Sequence, residues 1–156
     1  MIIQTERIVL RPFEIRDITW YPRLAKHQDT RKYLKGVYTE DVAKMKEDVE
    51  IFSKGDFEND FYFVVENIET KSIMGIVVIV RLTKKMLDVS YFLFEEYRKQ
   101  GYMYESMNAA MRAIKAEKPS YYFRMVINEN NISSLKLAKR LNAMIDKYTD
   151  DYICII

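Results

Sequence analysis

Apolar residues along this chain recur at two spacings, and the switches between them divide it into elements. Ile8 and Leu10 alternate with Arg7, Val9 and Arg11, which predicts a strand within residues 5–13, with Pro12 marking an edge strand or its end. Asp17 suits the N-cap of a first helix running past Trp20 and Leu24. Thr39 suits a second N-cap, with Glu40 and Asp41 in the first turn. Val42, Met45, Val49 and Phe52 then follow at helical spacing. Residues 54–60 are polar and read as a loop.

Alternation returns in three strands within residues 61–67, 73–82 and 86–94. The short turns at Glu69-Thr70-Lys71 and Lys84-Lys85 make them an antiparallel meander. The run Ile76-Val77-Val78-Ile79-Val80 is apolar throughout, which predicts a central strand buried on both faces. Met103, Met107, Ala110, Met111 and Ile114 form the core stripe of a helix over 102–116. A strand over 121–127, a helix from about 133 to 141 and a terminal strand or hairpin ending at 152–156 complete the chain. The order β-α-α-β-β-β-α-β-α-β implies an α/β fold, a mixed sheet of six or seven strands with helices on its faces, in a single domain over 1–156.

The 156 residues, 49% apolar and 31% charged, suit one globular domain. No apolar run is long enough to span a bilayer, and residues 1–7 lack the pattern of a signal peptide, so the expected location is cytoplasmic. A net charge of +2 argues against nucleic-acid or membrane partners. Cys154 is the only cysteine and His27 the only histidine. Disulfides within the chain are therefore impossible, zinc sites built from several Cys or His are excluded, and any Ser-His-Asp triad would have to use His27. Flanked by Lys26, Gln28 and Asp29, His27 reads as a surface residue. No metal site is expected.

Candidate chemistry gathers at Arg98-Lys99-Gln100-Gly101, between an apolar strand and a helix. A helix N-terminus offers unpaired N–H groups and a positive dipole end, and glycine admits an anion close to the backbone. The segment lacks the Gly-Lys-Ser/Thr of a Walker A loop and the glycines of a dinucleotide fingerprint. Taken alone, it reads first as a solvated basic turn with Gly101 easing the start of the helix.

The segment resembles the acetyl-CoA loop of the GCN5-related N-acetyltransferase superfamily, written Arg/Gln-x-x-Gly-x-Gly/Ala. Arg98 and Gly101 match, while Met103 stands at a usually small position and Lys99 where a further glycine is common. Residues 5–13 followed by Asp17, Ile73-Met74-Gly75-Ile76, Asp88-Val89-Ser90-Tyr91-Phe92-Leu93 and Asn131-Ile132-Ser133-Ser134-Leu135 are similar, in order and spacing, to the branch of ribosomal-protein N-terminal acetyltransferases. Leu141-Asn142-Ala143 departs from that branch's Leu-Gly-Phe, although Asn can still take the left-handed cap conformation.

This resemblance implies direct transfer of an acetyl group from acetyl-CoA to a primary amine, with no metal. Two strands would splay to admit the pantetheine arm, paired with the backbone of Phe92, Leu93 and Phe94. The N–H groups of Lys99, Gln100, Gly101, Tyr102 and Met103, helped by the Arg98 side chain, would hold the pyrophosphate. Asn131 and Ser134 would lie by the thiol end. Asp88 is the candidate base or proton relay, with orientation of the substrate or capping of a turn as its other reading. Ser134 is the candidate donor to sulfur, or else simply a first-turn helix residue. Tyr91, Tyr102 and Tyr104 are further candidate acids; Tyr122 and Phe123 read as core or pocket wall.

The acids Glu40, Asp41, Glu47, Asp48, Glu50, Asp56, Glu58 and Asp60 would suit a cationic acceptor, such as a peptide N-terminus or a small-molecule amine, or form a solvated helix face. A homodimer is compatible with this reading. The alternative is a weak or inactive module of the same fold that binds CoA or another protein.

Overall fold

The computed structural model describes residues 1–34, 36–55 and 60–156. The middle of the 54–60 loop, with Asp56 and Glu58, lies outside the described residues. The remainder forms a single eight-stranded sheet in the order β1-β2-β3-β4-β5-β6-β8-β7. The strands are β1 (Ile3–Gln4), β2 (Ile8–Pro12), β3 (Phe61–Asn67), β4 (Ile73–Arg81), β5 (Met86–Leu93), β6 (Tyr122–Asn128), β7 (Met144–Tyr148) and β8 (Asp151–Ile155). The helices are α1 (Tyr21–Ala25), α2 (Gln28–Tyr33), α3 (Val42–Ser53), α4 (Tyr102–Glu117) and α5 (Ile132–Arg140).

The α/β class and the meander β3-β4-β5 match the expectation, and every ladder is antiparallel except β5–β6. The count exceeds six or seven because the N-terminal region supplies the short β1 and the C-terminus is a hairpin, β7–β8. Pro12 ends β2, which lies between β1 and β3 and is not an edge strand.

The anticipated first helix is broken into a 3-10 turn over Ile15–Thr19, then α1 and α2. Asp17 is not its N-cap. Its carboxylate is bound by Arg11, and Glu14 caps the turn. Pro22 opens α1, where its missing N–H costs nothing. Likewise α3 is capped by Asp41, whose Oδ1 accepts from the Ala43 N–H at 2.8 Å, and not by Thr39.

Side-chain alternation sends two sets of β-strand residues to opposite faces. Leu87, Val89 and Leu93 of β5 join Met103, Met107, Ala110, Met111 and Ile114 of α4 in one core, which Leu135, Leu137 and Leu141 extend. Phe92 and Phe94 join Leu24, Met45 and Val49 in the core beneath α1–α3. The central run meets its expectation in part: Ile76, Val77 and Ile79 are wholly buried, whereas Val78 and Val80 are only half-buried, so the face they share is less covered towards the end of β4.

Gly75 permits the close approach of β4 to β5. A Cβ placed there would lie 1.9 Å from the Phe92 carbonyl oxygen and 3.0 Å from the Leu93 Cα, both backbone atoms that cannot swing away. Gly75→Ala is therefore expected to destabilise the fold by about 1–3 kcal/mol, the usual cost of overpacking. Chemical denaturation should show a lowered midpoint.

Candidate functional site

The β5–β6 ladder is short. Pairing covers Met86–Asp88 against Tyr122–Arg124 and stops there. Beyond it, β5 stays paired with β4 as far as Leu93, and β6 stays paired with β8 as far as Asn128. Each arm keeps its outer ladder while the inner edges part. A parallel pair that opens this way leaves backbone donors and acceptors free for an extended, amide-bearing guest.

Strand parity shows which groups face the opening. Leu82 N–H donates to the Met86 carbonyl and Phe94 N–H to that of Met74, so even-numbered residues of β5 turn their backbone towards β4. The backbone of Phe92 and Phe94 is thus directed away from the gap, which corrects the expectation for those two residues. Leu93 faces the gap, and so does Tyr91.

The loop after β5 carries the second feature. Lys99 and Gly101 take positive φ, 60° and 85°, which curls the backbone into a concavity at the start of α4. Among the described residues, the N–H groups from Lys99 to Tyr104 have no intramolecular acceptor, and Gly101 caps α4 with no side-chain bond. Lys99 therefore adopts the left-handed conformation that glycine favours. The Met103 side chain is buried in the core and does not crowd the concavity.

The basic partners of this concavity differ from the expected one. Arg98 is committed elsewhere: Nε donates to the Leu93 carbonyl at 2.8 Å and Nη1 to Asp29 Oδ2 at 2.7 Å, tying the loop to the end of β5 and to α2. Instead, Arg7 and Arg140 converge on Gly101, whose Cβ position would lie 3.5 Å from Arg7 Nη2 and 4.0 Å from Arg140 Nη1. Arg7 Nη1 also donates to the Gln100 carbonyl at 3.1 Å, and its guanidinium covers the Tyr102 ring at 4.4 Å. Arg140 stacks on Tyr104 at 3.9 Å. The Gln100 side-chain amide is turned back to the Glu96 carbonyl.

These groups border an open groove of about 810 Å³ that includes Thr5, Arg7, Lys99, Gly101, Arg112 and Arg140. Glu105 balances Arg7 at 2.6 Å. Burial alone would raise the Glu105 pKa, but hydrogen bonds from Thr5 and Arg7 outweigh it and hold the carboxyl below its ordinary range. Lys99, Arg112 and Arg140 have no carboxylate partner among the described residues. Free N–H groups in a concavity, flanked by unpaired cations, suit a phosphorylated guest.

At the point where the strands part, Asp88 and Arg124 are the last paired residues, and Arg124 Nε donates to Asp88 Oδ1 at 2.7 Å. Asp88 alternates with Leu87 and Val89, so it lies on the face opposite α4 and α5. Ser134 stands on the other face, in the first turn of α5. Asn131 caps that helix, its Oδ1 accepting from the Ser134 N–H at 3.3 Å and from the Ser133 hydroxyl at 3.1 Å. The two candidate catalytic side chains thus approach the gap from opposite sides.

The helix α5 ends as anticipated: Asn142 is left-handed at φ 59°, with Ala143 N–H bonded to the Ala138 carbonyl and Asn142 N–H to that of Lys139. His27 is a structural cap, since its Nδ1 accepts from the Asp29 N–H and its ring packs edge-on to Phe92. Phe123 is core, whereas Tyr122 is exposed. Among the described residues, no group of three or more His, Cys, Asp and Glu could hold a metal ion, and no helix is long and apolar enough to cross a membrane.

Residues 7–144 match the family model for the acetyltransferase (GNAT) domain, and the chain belongs to that family of N-acetyltransferases. Curated proteins show no significant sequence match. Solved structures share the fold at low identity. An acetyltransferase (GNAT family) from Bacillus anthracis superposes with a TM-score of 0.85 at 17% identity, covering 100% of this chain and 98% of its own. RimL, a ribosomal L7/L12 alpha-N-protein acetyltransferase in complex with coenzyme A, gives 0.83 at 15%, covering 100% and 97%. The ribosomal-protein-S5-alanine acetyltransferase of Vibrio fischeri gives 0.77 at 18%, covering 99% and 94%.

Proposed function

We propose that the protein transfers the acetyl group of acetyl-CoA directly to a primary amine, the N-terminus of a protein or peptide being the favoured acceptor. The observation that carries this is the run of free N–H groups from Lys99 to Tyr104 at the mouth of an opened β5–β6 pair. Lys99 to Met103 hold the pyrophosphate, with Arg7 and Arg140 in the part first given to Arg98. The inner edge of β5, at the Tyr91 backbone and the Leu93 N–H, binds the amides of the pantetheine arm, the Leu93 carbonyl being held by Arg98, and Ser134 faces its thiol end. When bound, acetyl-CoA supplies the activated acyl group.

Asp88 takes the proton that the acceptor ammonium must lose, directly or through water, while Arg124 fixes the orientation of its carboxylate. The fold neighbours named for acetylation of ribosomal proteins favour a peptide amine. A second reading, a module that binds CoA without turnover, draws on the ion pair that already occupies Asp88.

Titration with CoA, followed by thiol release from acetyl-CoA across a panel of N-terminal peptides and amines, separates the two readings. Binding with turnover is expected. In Asp88→Asn, kcat should fall about 10²-fold or more with CoA affinity intact. Binding without turnover selects the module, and absence of binding at millimolar CoA removes both.

A further inference from the structure

The Asp88–Arg124 pair at the parting strands is closed along one edge only. Arg124 Nε donates to Asp88 Oδ1 at 2.7 Å, and among the described residues this is the one side-chain hydrogen bond that either makes. Asp88 Oδ2 and the Nη1 and Nη2 groups of Arg124 therefore keep open hydrogen-bonding positions. Both side chains can be reached, with 31% and 26% of their surface exposed. A guanidinium held through Nε still presents two nitrogens in the planar fork that suits a carboxylate. One acidic oxygen and one basic fork thus stand side by side where the acceptor must bring its amine.

The sheet beyond Arg124 is uncovered on this face. Register places Ile155 beside Arg124 and Met144 beside Ile155, with Val126 beside Ile153 one step further on. Alternation sends all of these side chains to the face opposite α5, whose Leu135 and Leu137 pack with the core of Phe123, Met125 and Ile127. Val126 is 49% exposed and Met144 72%. An apolar strip leads away from the ion pair and lies open.

We propose that Arg124 determines acceptor specificity: its Nη fork binds a carboxylate side chain at the first or second residue of a peptide whose N-terminal amine lies at Asp88. This rests on the acetyl-transfer reading above. An amine beside Asp88 and a carboxylate on Arg124 mirror the two open ends of the pair, sign for sign. Those ends belong to side chains already joined at 2.7 Å, so the two charges of the guest must also lie close together. That confines the acid to the first residues of the peptide. A free amino acid would end at its carboxylate, whereas a peptide continues over Val126 and Ile153 and removes apolar surface from water. A lysine at the same place would bring its ammonium against the guanidinium with no partner, and is rejected.

The test uses C-terminally amidated peptides that are identical except for Glu, Gln or Lys at the first or second residue. Affinity for the CoA-bound protein is read by calorimetry, and kcat/KM by thiol release from acetyl-CoA. The wild-type protein should prefer Glu over Lys by about 10-fold or more in both, with Gln between them. In Arg124→Gln the Glu and Lys peptides should come within about 2-fold. A residue that only orients Asp88 would lower turnover on every peptide alike and leave the ratio as it was. An unchanged ratio in Arg124→Gln therefore overturns the proposal, as does a wild-type ratio near one. The affinity ratio needs no turnover, so it decides the matter even in an inactive variant. Acetylation of free amino acids that depends on Arg124, with the amidated Glu peptides left unused, also overturns it. A wild-type protein that releases thiol with no peptide and no amino acid overturns the acetyl-transfer reading itself.

Discussion

Asp17→Ala is expected to destabilise the protein by about 3–5 kcal/mol, a large share of the 5–15 kcal/mol that typically separates folded from unfolded chains. The Asp17 carboxylate is 1% exposed and every one of its bonds is short. Arg11 Nη1 and Nη2 grip it at 2.9 and 2.8 Å, the Glu14 N–H donates at 2.8 Å and Trp20 Nε1 at 2.7 Å. Removing it leaves the buried Arg11 guanidinium with Glu66, at 2.9 Å, as its remaining carboxylate. Breaking a buried pair costs far more than the pair contributes, because the surviving charge is left without compensation. Urea denaturation should show the loss as a lower midpoint at unchanged slope, with Asp17→Asn in between. A midpoint equal to the wild type would mean that the turn over Ile15–Thr19 does not depend on this anchor.

The same group sets part of the acid response. Burial by itself would raise the Asp17 pKa, but hydrogen bonds from Arg11, Glu14 and Trp20 outweigh it, and the carboxyl is held below its ordinary value. A carboxyl depressed by folding stabilises the native state above its unfolded pKa of about 3.9. That contribution is lost as pH falls from there through the folded value. Between neutral pH and about pH 5 the contribution should be constant. Below about pH 4 the wild type should lose stability more steeply than Asp17→Ala, which no longer carries the group.

What could be read from the sequence follows from the range over which each signal acts. The meander and α4 were legible because alternation and the 3.6-residue repeat are local, and α5 because Asn131 and Asn142 cap it with their own side chains and backbone. The 3-10 turn was not legible, because Asp17 has the residue type of an N-cap while its partner, Arg11, arrives from β2. Within the site, the loop showed through Gly101 and the helix it opens. Arg7 and Arg140 did not, since they meet it only across the folded molecule. In the uniformly apolar run Tyr91-Phe92-Leu93-Phe94, nothing marks which residues turn their backbone to the gap, and a shift of one position exchanges the two sets.

Gly101→Val should weaken CoA binding about 10²-fold or more while leaving the fold in place. Two costs combine. A residue at φ 85° sits in the left-handed region, which costs a side-chain-bearing residue roughly 1–2 kcal/mol, and β-branching adds to it. The valine methyls would also enter the space bounded by Arg7 Nη2 and Arg140 Nη1, where the free N–H groups converge and a phosphate would lie. Gly101→Ala isolates the first cost, because a lone Cβ at 3.5 Å is in ordinary contact, and a loss of about 10-fold is expected. The ordered series from Gly to Ala to Val, read by calorimetric titration with CoA, distinguishes a cradle from a simple helix start. A helix start would lose stability along the series with affinity unchanged. A cradle loses affinity at each step, and steeply at the second, because only there does bulk compete with the anion for the same volume.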